Sequence, residues 1–379
     1  MSRHGRVLVA MSGGVDSSVA AVMLREEGYD VIGITMKTWD YTSSGGRGGK
    51  EVGCCSLESM NDARSVALKF DFTHFIVDIR EEFGDWVIDR FTKEYLAGRT
   101  PNPCVLCNTH IKWAALIRRA DQLECDLIAT GHYARMRRDR RTDRMVLMRG
   151  LDSTKDQSYA LWGLPQQHLD RSRFPLGDFT KAEIRREAGE MGLSRVATKP
   201  DSYEICFVPD NDYRRFIRDR TSDLDNRHKG GALVLRDGTV VGTHDGYPFY
   251  TIGQRRGLGI ATGRPMYVTA IDPVSNTVTI GPRDELLQQA LIARGINLIA
   301  VEDLEDERKA EAKIRYKDEG AACLVRQAGE ELIVSFFEPR HAITPGQSVV
   351  VYDGDDVLGG GWIHRVGTPA ELAPAMLSV

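Results

Sequence analysis

Residues 6–36, RVLVAMSGGVDSSVAAVMLREEGYDVIGITM, decide the fold. Residues 6–10 form an apolar run of the length of a buried strand. Residues 17–27 carry helical apolar spacing closed by Gly28, and residues 30–36 turn apolar again. That order is strand, glycine-rich turn, helix, strand. The same alternation predicts a helix over 57–69, a strand over 73–79, helices near 84–96 and 111–123, and a strand over 126–130. Strands alternating with helices over this length predict an α/β fold, with an N-terminal doubly wound parallel sheet and helices on both faces. Ligands of such sheets gather at the carboxyl ends of strands. Both MSGGVDSS (11–18) and TGHYAR (130–135) fall at such ends.

The pattern changes further along. Thr180 followed by Glu183 is a capping box opening a helix over 180–193. Beyond residue 209, turn signals at 236–238 and 272–276 are flanked by the strand-like runs GALVL, TVVG, MYVTAI and TVTIG. Further strands are expected at AKIRY, ACLVRQ, LIVSFF, SVVVYD and LGGGWI. The expected organisation is an N-terminal domain over 1–209, a small β-rich central domain over 210–284 and a C-terminal β-barrel-like domain over 285–379. The glycine-rich stretch 43–49 reads as a mobile loop.

With 379 residues, 42% hydrophobic and 27% charged, the chain has the composition of an ordinary globular protein. No apolar run approaches the roughly 18 residues of a membrane span, so no membrane partner and a cytoplasmic address are expected. A net charge of -4 argues against wholesale coating of nucleic acid but not against local patches. Residues 135–149, RMRRDRRTDRMVLMR, carry seven arginines and form one such patch. They read either as a solvated hairpin or as a phosphate-binding surface. Seven cysteines, an odd number, favour reduced thiols over a disulfide framework.

Ser12-Gly13-Gly14-Val15-Asp16-Ser17-Ser18 joins a strand to a helix, where backbone N–H groups and the helix dipole favour an anion. It lacks the Gly-Lys-Ser/Thr ending that sets a lysine on the β and γ phosphates. The expected cleavage therefore lies between the α and β phosphates, with the loop holding pyrophosphate and Asp16 holding Mg²⁺ or ordering the loop. The stretch resembles the SGGxDS motif of the PP-loop ATP pyrophosphatases. That resemblance implies adenylation of an oxygen followed by displacement of AMP.

The nucleophile remains to be found. Cys104 and Cys107 in GRTPNPCVLCNTHIKW are expected just before a helix, capped by Asn108 or Thr109, where a thiolate would be stabilised. Cys206 lies in KPDSYEICFVPD. Core filler and a zinc site are alternatives for these thiols, and so is sulfur transfer, in which a persulfide on one cysteine is attacked by the other. The motifs AMSGGVDSS, GITMKTW, GRTPNPCVLCN, ATGHYAR, KDQSY, KPDSYEICF, YTIGQRRGLG, IRY and PGQ run in order along nearly the whole chain, and with them it resembles the tRNA-specific 2-thiouridylase family.

The resemblance implies thiolation at C2 of the wobble uridine of tRNA by adenylation and persulfide chemistry. It implies ATP binding by Ala10, Met11, Ser12, Gly13, Gly14, Val15, Asp16, Ser17, Met36 and Gly131. Cys107 matches the nucleophile, Cys206 the persulfide carrier, and Asn102, Pro103 and Cys104 the stretch at the target base. Many members have aspartate where Cys104 stands. A triad of Cys104, Cys107 and Cys206 holding an iron–sulfur cluster is the less favoured alternative. His132, Lys155, Asp156, Gln157, Arg315, Tyr316 and Gln347 match tRNA-contact positions, each with an ordinary structural reading beside it. Arg214, Arg215, Arg218 and Arg220, with Arg255 and Arg256, are further candidates to track RNA phosphates. Expected partners are tRNA and a cysteine desulfurase or sulfur-relay protein that donates the persulfide. An amide-forming synthetase and a non-catalytic RNA-binding protein with a nucleotide sensor are the rival readings.

Overall fold

The computed structural model describes residues 3–39, 56–200, 205–208 and 210–376. The glycine-rich stretch 43–49, Cys54, Cys55 and the four residues 201–204 of the KPDSYEICF motif lie outside them. Two compact units emerge, one comprising Met1–Val87, Cys104–Asn211 and Asp355–Val357, the other Ile88–Pro103, Asp212–Gly354 and Leu358–Val379.

At the centre of the first unit is β1 (Arg6–Ala10). It pairs in parallel with β2 (Asp30–Lys37) on one side and β4 (Leu127–Thr130) on the other. Beyond them lie β3 (Thr73–Asp78) and the two-residue β7 (Ser172–Arg173), both parallel, giving the order β3-β2-β1-β4-β7. The chain builds outward from β1 through β2 to β3 and then returns to β1's other edge at β4, so the strand order reverses between β1 and β4. In open parallel sheets that reversal opens a crevice at the carboxyl ends of the strands. Val7, Leu8 and Val9 are wholly buried, as a strand covered on both faces requires.

The helix Val15–Glu27 follows β1 directly and ends at Gly28, whose φ of 101° suits glycine alone. Val19, Ala20, Ala21 and Val22 on it are fully buried in the sheet core, so small side chains let the helix lie close to the strands. The helix Leu57–Lys69 is capped by Ser56, which accepts from the Ser59 N–H. The expected capping box opens Lys181–Glu190, with Thr180 and Glu183 bonding reciprocally. A hairpin of β5 (Ala134–Arg138) and β6 (Met145–Arg149) carries the arginine-rich segment.

The second unit holds two sheets. β8 (Gly231–Val234), β9 (Val240–His244), β10 (Tyr267–Asp272) and β11 (Thr277–Gly281) form a four-stranded sheet in the order β10-β11-β8-β9. The two expected turns are present, with Asp237 accepting from the Thr239 N–H and Asp272 from the Val274 N–H. The remaining strands are β12 (Leu287–Leu298), β13 (Arg308–Lys313), β14 (Ala321–Ala328), β15 (Glu331–His341), β16 (Ser348–Asp353) and β17 (Asp356–Gly367). Because β12 pairs with both β15 and β17, the six close into an antiparallel barrel. Leu291, Val325, Val334, Phe336, Val351 and Ile363 fill it. Cys323 lies among them, its thiol pushed up to about 12 by burial, so it acts as core filler. Cys125 in the first unit, at about 11, is equally inert for the same reason. Among the described residues no helix is long and apolar enough to cross a membrane.

Candidate active site

The glycine loop leaves β1 with its end pinned, since the Met11 N–H donates to Ile34 O and Thr35 Oγ1 donates to Met11 O at 2.7 Å. Gly13 then takes φ +71°, and a Cβ there would sit 2.0 Å from Ser59 O, so both conformation and space demand glycine. Gly14 is the N-cap of the following helix and offers its first turn no side-chain acceptor. Ser17 Oγ accepts from the Ser12 N–H at 3.0 Å and donates to Gly14 O, folding the turn on itself while Ser12 stays exposed. A helix N-terminus without a side-chain cap, at a sheet's switch point, is an anion site by construction. Gly131 completes it from β4. A Cβ on Gly131 would come 2.7 Å from Ser17 N, so the backbone after β4 lies against the start of the loop helix. Ala10, Val15 and Met36 frame the same strand ends, Val15 buried and the other two half-buried.

Asp16, in the first turn of that helix, is held by two side chains through three hydrogen bonds. Lys181 Nζ reaches both of its carboxylate oxygens at 2.7 Å, and the Tyr133 hydroxyl donates to Oδ1 at 2.7 Å. A second lysine braces the loop from beneath: Lys199 Nζ donates to Gly13 O, to Ser59 Oγ and, at 2.6 Å, to Asp62 Oδ2. Asp62 is only 2% exposed and also pairs with Arg195. Sequence reasoning assigned no role to Lys181, Lys199, Tyr133 or Asp62. The capping box did fix Lys181 at the first position of its helix, but nothing along the chain brings that position to Asp16.

The cysteine segment corrects one expectation. Pro103–Leu106 is already helical, Cys107–Lys112 continues as a wide turn and Trp113–Gln122 follows without a break. Helical structure therefore begins at Pro103, whose fixed φ and missing N–H suit a first helical position. Cys107 sits inside the run, buried, and Cys104 holds the N-terminal turn. Asn108 does not cap, because its amide donates to Ala160 O at 3.0 Å. Cys104 is solvent-exposed, yet desolvation by the protein around it holds its thiol above the ordinary value, against the opposing pull of Lys112. Cys206 is half-buried. Its neighbour Phe207 packs edge-on against Phe83, 5.7 Å between centroids, while Trp86 stacks on His110 at 5.6 Å. Residues 83–86 thus contact both the Cys206 and the Cys107 segments.

Residues matched to tRNA contacts divide by environment. His132 follows Gly131, with Nδ1 2.7 Å from Thr130 Oγ1 and its ring near Trp113 and Phe174. Burial, aided by Lys112, pushes it down to about 3, so it is neutral and reads as a flat polar ring rather than a cation. Asp156 is buried and accepts from the Gly150 N–H and from the Ser158 N–H and hydroxyl, clamping the turn around it. Gln157 Oε1 accepts from the Tyr133 N–H, tying that turn to the residue beside His132. The Lys155 N–H donates to Asp152 O. In the second unit, Gln347 Nε2 donates to both Thr100 O and Pro101 O, which fixes the approach to the half-buried Asn102. Arg315 and Tyr316 stand exposed beyond β13.

Much of the arginine-rich hairpin is neutralised by carboxylates, several of them from distant parts of the chain. Arg135 pairs with Asp355, Arg137 with Asp139 and Asp356, and Arg138 with Asp143 and Asp170. On the helix Tyr213–Arg220, Arg215 pairs with Asp219 and Arg218 with Asp225, while Arg214 lies over Tyr213 and Tyr250 and Arg218 over Phe249. Among the described residues no group of three or more His, Cys, Asp or Glu side chains is placed to hold a metal ion, so Cys104, Cys107 and Cys206 form no such group in this arrangement. Asp16, with a side chain 32% exposed in the loop, is an oxygen donor of the kind a hard cation takes, and would be the residue to hold one.

A doubly wound parallel sheet with a lysine-free glycine loop at its switch point defines a nucleotide-binding α/β protein of the PP-loop type. Residues 5–210 match the tRNA methyl transferase HUP domain, 221–282 the tRNA methyl transferase PRC-barrel domain and 288–363 the aminomethyltransferase beta-barrel domain. The tRNA-specific 2-thiouridylase MnmA of Salinibacter ruber is 67% identical, covering 97% of this chain and 96% of that protein. Its counterparts from Amoebophilus asiaticus and Cytophaga hutchinsonii are 57% and 56% identical, covering 95% and 96% of this chain and 96% and 98% of theirs. Among solved structures, a 4-thiouridine synthetase–RNA complex with bound ATP aligns at a TM-score of 0.36 and 17% identity, over 58% of this chain and 51% of that one. The chain belongs to the tRNA-specific 2-thiouridylase family.

Proposed function

We propose that the protein is a tRNA-uridine 2-sulfurtransferase that uses ATP to replace the C2 oxygen of the anticodon wobble uridine with sulfur. The observation that carries this reading is that the lysine-free phosphate loop, Cys107 and Cys206 all belong to one compact unit. The proposed catalytic domain spans residues 1–209, with residues 210–284 and 285–379 supplying tRNA contacts.

The chemistry follows from a poor leaving group. The C2 oxygen of uracil attacks the α phosphorus, pyrophosphate departs over the Ser12–Ser17 turn, and the base then carries AMP at C2. Asp16 is the residue to hold Mg²⁺, which would supply charge neutralisation on the phosphates when bound. The terminal sulfur of a persulfide on Cys206 attacks C2 and AMP leaves. The Cys107 thiolate attacks the inner sulfur, so the sulfur–sulfur bond of the persulfide breaks and a Cys107–Cys206 disulfide forms. A cysteine desulfurase or sulfur-relay protein reloads Cys206 after a thiol reductant reopens the disulfide. Neutral His132, with Trp113 and Phe174 beside it, suits an unstacked base better than a phosphate. The unit is proposed to work in the cytoplasm.

Purified tRNA incubated with the protein, ATP and a persulfide donor, then digested and analysed by mass spectrometry, is expected to contain 2-thiouridine. Cys107→Ser and Cys206→Ser should each abolish the product while still releasing pyrophosphate. Full thiolation by both variants would overturn the mechanism.

A further inference from the structure

We propose that Lys181 is the phosphate-binding cation of the nucleotide site, supplying from the start of a distant helix the charge that the glycine loop does not carry. The inference rests on the ATP-using reading of the loop and names a residue that this reading does not require.

Three observations lead there. Lys181 occupies the first position of its helix, whose positive end disfavours a cation, so helix formation gives no reason for a lysine. Its side chain is only 11% exposed, and its ammonium is turned onto Asp16, a residue of the loop's own motif. A lysine–carboxylate pair drawn partly out of water is a weak device for stability, because well-packed apolar residues of similar volume serve as well. The location is what distinguishes this pair, since Asp16 lies in the first turn of the helix whose uncapped N-terminus ends the loop.

The second lysine near the loop is differently employed. Lys199 meets three acceptors, Gly13 O, Ser59 Oγ and Asp62 Oδ2, which saturates the three donors of an ammonium and makes it a brace. Lys181 reaches both oxygens of the partly exposed Asp16 carboxylate at 2.7 Å. An ammonium on a flexible four-carbon stem can exchange that carboxylate for a phosphate by rotating its terminal bonds. Asp16 and phosphate oxygens then compete for the same charge, and without ligand the carboxylate holds it.

The competition gives the two partners of one ion pair opposite signs. Calorimetric titration with inorganic pyrophosphate in EDTA, with adenosine as the uncharged probe and ATP–Mg²⁺ as reference, separates the cases. Lys181→Met should weaken pyrophosphate binding about tenfold or more and leave adenosine binding unchanged, and Lys181→Arg should restore most of the loss. Asp16→Asn should strengthen pyrophosphate binding several-fold. If both Lys181→Met and Asp16→Asn weaken pyrophosphate by the same factor, the pair is merely structural and the assignment falls. It falls also if Lys181→Met binds pyrophosphate as wild type does. Should Lys181→Met fail to fold by its thermal transition, the direction of change in Asp16→Asn decides alone. Wild-type protein that binds no ATP overturns the nucleotide reading itself, an outcome distinct from wild type that binds ATP with Lys181→Met unimpaired.

Discussion

Gly131 and His132 are adjacent and act by different physics. A methyl group at 131 would meet Ser17 N at 2.7 Å, and the backbone on either side has no flexible atom to give way. Gly131→Ala is therefore expected to push the start of the loop helix outward, costing about 1–3 kcal/mol of stability and weakening ATP binding, readable by chemical denaturation and calorimetry. His132 contributes through protonation. Its folded value of about 3 lies below the unfolded value of about 6.5, so between those limits the unfolded chain takes up a proton that the folded chain refuses. Stability from this residue is thus complete above pH 6.5 and lost as pH falls toward 3. His132→Gln should flatten the acid limb of a stability–pH curve measured by urea unfolding. The flattening is partial, because burial also lowers His74 and His168. Such single-residue roles were only half legible in the sequence. Gly131 and His132 stood out within TGHYAR, whereas the neutrality of His132 depends on burial among residues such as Trp113 and Phe174 and on Lys112, which come from separate stretches of the chain.

Among the elements, the arginine-rich hairpin shows how sign and spacing mislead. Seven arginines within 15 residues look like a phosphate surface, yet the carboxylates that neutralise Arg135 and Arg137 include Asp355 and Asp356, more than 200 residues away. Paired guanidinium groups release few counterions on binding RNA. Arg137→Ala with Arg138→Ala should change the slope of log tRNA affinity against log salt by much less than 1, while Arg140→Ala with Arg141→Ala should reduce it by about 1 to 2. Equal losses from the two pairs, in filter binding over a salt series, would show that the ion pairs open for RNA. The helix after Gly98 offers the converse lesson. Pro103 suits its start, but Asn108 and Thr109 are equally good capping residues and read as the helix's beginning, whereas the continuous helical run places Cys107 in its interior.

For the molecule as a whole, patterns with short reach were decided by the sequence. Apolar runs of strand length, helical spacing, Gly28, the Thr180–Glu183 box and the aspartates of the two turns act within a few residues, so they fix the parallel β/α alternation and the later β-rich region. The SGGVDS turn belongs with them, because its conformation and its helix N-terminus are local. Tertiary structure alone decided which distant groups meet. Closure of the barrel needs β12 to pair with β17, and the strand order needs β4 to return beside β1. The charge balance of the loop needs Lys181 and Lys199, more than 160 residues downstream, to arrive at Asp16 and Gly13. Ion pairing and desolvation depend on distance in space, and residue spacing along the chain carries no record of that distance.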